Sequence, residues 1–109
     1  MEEYISLIDN LAEKYNLKIF HLDFSNFSLI ARVGLSLEIF IQIYINTRKQ
    51  KTNLALVISD SRVYGIDKEG GFYHEHPFEN PELHLPAEPM EIEDFIIKSL
   101  EYLEKLGLI

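Results

Sequence analysis

Apolar side chains recur at every second position through most of residues 17–78, and at every third or fourth position at both ends of the chain. Tyr4, Ile8, Leu11, Ala12 and Tyr15 form one helical stripe, opened by Glu2 and Glu3 and stopped near Asn16. A second stripe runs through Ile92, Phe95, Ile96, Leu100 and Leu103, with Glu91, Glu93 and Asp94 at its start and Gly107 at its end. Between them the period is two. "LKIFHLDF" sets Leu17, Ile19, His21 and Asp23 against Lys18, Phe20, Leu22 and Phe24, and "FSLIARV" follows. In "SLEIFIQIYIN", Ile39, Ile41, Ile43 and Ile45 make an unbroken β-branched face, opposed by Glu38, Phe40, Gln42, Tyr44 and Asn46. "NLALVIS", "RVYGID" and "FYHEHPF" complete the series, separated by short polar or Gly-rich turns.

Pro77, Pro81, Pro86 and Pro89 interrupt the alternation, and each biases its predecessor toward extended backbone. This segment is expected to be an ordered loop. The whole pattern predicts a single α+β domain over residues 1–109. Its meandering antiparallel sheet has about five to six strands, with the N- and C-terminal helices packed on one face.

Composition narrows the function classes. The chain has no cysteine, which removes disulfides and thiolate metal sites. The opening "MEEYISLIDN" lacks the basic region of a secretory leader, and no apolar run approaches a membrane span. A cytoplasmic, soluble protein is expected. With 18 acids against 10 bases the net charge is -8, which disfavours nucleic acid as a partner except through Arg48, Lys49 and Lys51 in "NTRKQK". That run also reads as a solvated hairpin tip. Aromatic residues at Phe20, Phe24, Phe27, Phe40 and Tyr44 suit a protein partner or a homodimer.

Candidate chemistry gathers in "YHEHPFENPELHLP". On a strand, His74 and His76 point to the same face and Glu75 to the other. Two imidazoles so placed can share a divalent metal, with His84, Glu82 or Asp67 as a third ligand. The first functional reading is a protein-interaction domain; the alternative is a metal- or histidine-dependent hydrolase of nuclease type, with His74, His76, His84 and Asp67 as its candidate catalytic groups. Structural alternatives are that the histidines pack beneath the proline loop and that Asp67 and Asp60 cap their own turns. No nucleophile elbow or phosphate loop is present.

The order of features after residue 38, with Tyr64 and Asp67 in "YGID", "HEHP" and "LHLP", resembles the TumE-like toxins of prokaryotic toxin–antitoxin pairs. The likeness covers roughly the last 70 residues. Gly65 and Ile66 separate the tyrosine from the aspartate, whereas the family's aspartate follows its tyrosine directly. The resemblance implies a cytoplasmic partner of a small DNA-binding antitoxin, with the histidine stretch as the functional region.

Overall fold

The computed structural model describes residues 1–109. Along the chain run α1 (Glu2–Lys14), β1 (Lys18–Phe24), β2 (Ser28–Gly34), β3 (Ile39–Asn46), β4 (Lys51–Ile58), β5 (Ser61–Glu69), β6 (Phe72–His76), β7 (Leu85–Pro86) and α2 (Ile92–Lys105). All strands pair antiparallel with their sequence neighbours in one sheet ordered β1 to β7. The tightest connections follow from turn chemistry. Ser59–Asp60 and Gly70–Gly71 both place two positive-φ residues between paired strands, the geometry that matches strand twist in two-residue hairpins.

The isoleucine face of β3 lies at the centre. Ile41, Ile43 and Ile45 join Leu29, Ala31 and Val33 of β2, Leu54 and Leu56 of β4, and Tyr64 and Ile66 of β5 in one buried surface. Both helices cover it: α1 through Ile8, Leu11 and Ala12, α2 through Ile92, Phe95, Ile96 and Leu103. Phe95 stacks on Tyr64 at 4.9 Å between ring centroids, and Tyr102 meets the same ring edge-on. Burial, with the charges of Tyr102 and Glu75 in support, pushes the Tyr64 phenol far above its ordinary range. The helices are tied together by Glu93, which accepts from Lys14 Nζ at 2.6 Å and from the Tyr15 hydroxyl at 2.7 Å.

Two expectations need correction. Regular structure reaches into the proline stretch, because Leu85 and Pro86 pair with Glu75 and His74, giving seven strands. Proline is tolerated there because an outermost strand need not donate outward. The alternation assumed for residues 17–24 also breaks: a bulge between Ile19 and His21 leaves Ile19, Leu22 and Phe24 on the side of Val33, Ala31 and Leu29. No helix is long and apolar enough to cross a membrane.

The second face of the sheet carries no helix. That face, near β5 and β6, holds the histidines.

Candidate functional site

Tyr64 and Ile66 point into the core, so Gly65 and Asp67 face away from the helices. Register then places His76 opposite Gly65 and His74 opposite Asp67. The two histidines do share a face, as their spacing predicts. Glu75 lies across from Ile66 on the helix side, where its charge adds to burial in raising the Tyr102 phenol.

His76 is 1% exposed. Its ring lies over Gly65, where an added Cβ would sit 3.1 Å from the Leu54 carbonyl, 3.3 Å from Arg62 Cδ and 3.6 Å from His76 Cδ2. The glycine therefore makes room for the imidazole. Nε2 donates to Asp67 Oδ2 at 2.9 Å, and Nδ1 lies 3.0 Å from the Pro81 carbonyl. Both acceptors are satisfied together only by a ring carrying a proton on each nitrogen. A neutral ring with its proton on Nε2 keeps the Asp67 bond and accepts at Nδ1 from Arg62 Nη2, 3.2 Å away. In either form His76 joins β5, β6 and the 77–84 loop.

That loop brings His84 over the same spot. Its ring centroid is 4.2 Å from that of His76, edge-on at 73°, and 6.5 Å from that of His74. Arg62 stands beside them, with Nη1 3.9 Å from Asp67 Oδ2 and 42% of its side chain exposed. His74, His76, His84 and Asp67 thus come together, as the sequence suggests. His84 and Arg62 are exposed, His74 is half-buried, and His76 is sealed beneath them.

The metal expectation fares differently. No group of three or more His, Asp or Glu side chains is arranged to hold a cation. His76 directs its two nitrogens at Asp67 and Pro81, leaving no lone pair aimed at a site shared with His74 and His84. Glu82 is an exposed loop residue. Asp67 does not cap its turn; its carboxylate is committed to His76 and Arg62.

Arg62 is the member that sequence reasoning missed. A signal existed: Gly65 inside a strand marks a close approach, and Arg62 lies three residues before it across a bulge at Leu56/Val57. His21 and Asp23 share the helix-free face but stand on β1, far across the sheet. Of the basic run, Arg48 lies over the Phe27 ring at 4.2 Å and Lys51 pairs with Glu69 at 3.1 Å.

The cluster occupies an open surface. A cavity of about 220 Å³ lies on the helix side among Tyr4, Ile45, Leu54, Lys68 and Met90, and contains none of these groups. A shallow site suits an extended polymer better than an enclosed small molecule. No protein-family model, curated protein or solved structure matches the chain.

Proposed function

We propose that the chain is a small histidine-dependent hydrolase of nuclease type, acting in a prokaryotic cytoplasm as the toxin of a TumE-like toxin–antitoxin pair. The observation that supports this reading best is the gathering of exposed His84 and half-buried His74, ring centroids 6.5 Å apart, around His76 and Asp67, which Arg62 contacts. A phosphodiester seated between the rings meets one imidazole on each side and the guanidinium across its oxygens. One imidazole takes the proton of the ribose 2′-hydroxyl as that oxygen attacks phosphorus. The other gives a proton to the departing 5′-oxygen, leaving a 2′,3′-cyclic phosphate and a free 5′-hydroxyl. Arg62 stabilises the charge that builds on the phosphoryl oxygens. His76 and Asp67 are positioning residues, which fix the loop bearing His84 and orient Arg62.

The test is cleavage of single-stranded RNA in the presence of a chelator, with product ends identified by mass. His84→Ala and His74→Ala should each lower the rate by about 10²-fold or more, the usual scale of acid–base catalysis. A 2′-deoxy residue at the scissile position should block the reaction. Undiminished cleavage by both variants, or none by the unsubstituted protein, refutes the proposal.

A protein-interaction role without catalysis is the second reading. It is favoured by the uncovered edge of β1 and by Phe24 and Phe27, which are 56% and 45% exposed. Light scattering after gel filtration gives the mass that separates a homodimer from a monomer awaiting an antitoxin.

A further inference from the structure

We infer that the helix-free face of β2 to β5 is a track for single-stranded RNA leading into the histidine cluster. This rests on the nuclease reading and assigns the surface along which its substrate is bound.

Cross-strand register defines the track. From His76 the row crosses Gly65, Ala55 and Gln42 to Arg32. Four strand spacings make this about 19 Å. Gly65 and Ala55 are small, so the row is a shallow trough. Asn53 and Tyr44 form one bank, and Val57 and Phe40 the other. Tyr44 and Phe40 are half-buried and flank Gln42, one on each side of it along the same face of β3. Aromatic rings spaced across a sheet face are what stacked bases use, about two or three at a time in four-stranded modules.

Arg32 gives the far end a phosphate contact. It forms no ion pair with a carboxylate; instead its Nε donates to Gln42 Oε1 at 3.1 Å and its guanidinium lies 5.2 Å from the Phe40 ring centroid. A cation held at the trough's end, beside an aromatic ring, fits a phosphate flanked by bases. One polar group on this face also lacks the partner that burial ordinarily demands, because Asn53 Oδ1 is buried and accepts no hydrogen bond.

The net charge of -8 does not oppose this placement, because it is unevenly distributed. Both helices together with Glu91 hold nine of the 18 acids and three of the ten bases. On the helix-free face the strands present Lys18, Arg32, Lys51 and Arg62 against Asp23, Asp67 and Glu69. Most of the repulsion therefore originates on the opposite side of the molecule.

The test uses the full chain carrying His84→Ala, so that RNA is bound without being cut. The probe is a fluorescein-labelled single-stranded RNA of about a dozen nucleotides, followed by anisotropy at several salt concentrations. Phe40→Ala and Tyr44→Ala should each weaken binding by roughly tenfold. Arg32→Ala, at an exposed position whose loss leaves the core intact, should reduce the salt slope by about 0.7. Leu7→Ala on the helix side should change nothing. Unchanged affinity and slope in Arg32→Ala, or displacement of the RNA by Leu7→Ala as readily as by Phe40→Ala, overturns the track. So does failure of the RNA to bind at low salt. RNA binding that responds to Arg32 in a chain that cuts no RNA refutes the hydrolase and supports the track. Cleavage of a dinucleotide, with longer strands bound independently of Arg32, does the reverse.

Discussion

Gly65 and His76 depend on each other. The glycine supplies the space that a side chain would occupy, and the imidazole fills it while bonding to Asp67 and Pro81. Gly65→Ala places a methyl group against the Leu54 carbonyl, and should cost about 1–3 kcal/mol by overpacking, read as a lower denaturation midpoint in urea. His76→Ala should cost about 2–4 kcal/mol, since it opens a cavity and strips the half-buried Asp67 carboxylate of its donor. His74→Ala should stay within about 0.5 kcal/mol, as expected away from the core. The His-x-His spacing made the shared face legible in the sequence. It could not show which of the pair is buried, because that depends on the 77–84 loop folding back over the sheet. The bond between Asp67 and His76 was hidden for a similar reason: the two lie nine residues apart and meet only through register.

The strands and helices were more legible than the site, because each is encoded by a local period. Both helical stripes and the isoleucine face stand where their spacing put them. Ile43→Ala, at a position with 0% exposure, should cost about 2–5 kcal/mol in the same measurement. The alternation failed at β1, where Phe20 is the extra residue of a bulge, and in the proline stretch, where two residues suffice to add a strand. Between elements, the α1–α2 tie gives a pH signature. Hydrogen bonds from Lys14 and Tyr15 hold the Glu93 carboxyl below its ordinary 4.5, so its contribution is complete above that value and fades as pH falls through the lowered one. The hydrogen bond to Glu93 raises the Lys14 ammonium above 10.5, so its share is complete below that value and fades as pH rises through the raised one. Glu93→Gln should therefore melt slightly lower than the parent near neutral pH, with the difference vanishing in acid. A difference that persists in acid refutes the tie.

At the scale of the whole molecule, the sheet separates two tasks. One face meets helices that carry most of the net negative charge, and the other presents the histidines, Arg62 and Arg32. This division was legible only in part. The sequence specified the helices' apolar faces and the sheet's isoleucine face, but a net charge is a sum and conceals its own distribution. The strictly consecutive strand order has a consequence for how the chain folds. Each strand finds its partner in the next segment, across connections of two to eight residues. The entropy of closing such loops rises only slowly with length. The sheet can therefore grow hairpin by hairpin, without waiting for distant segments to meet, and should assemble faster than sheets whose neighbouring strands lie far apart in the chain. The contact between Lys14 and Glu93 joins residues 79 apart in the chain, so the docking of the two helices is the long-range step that closes the fold.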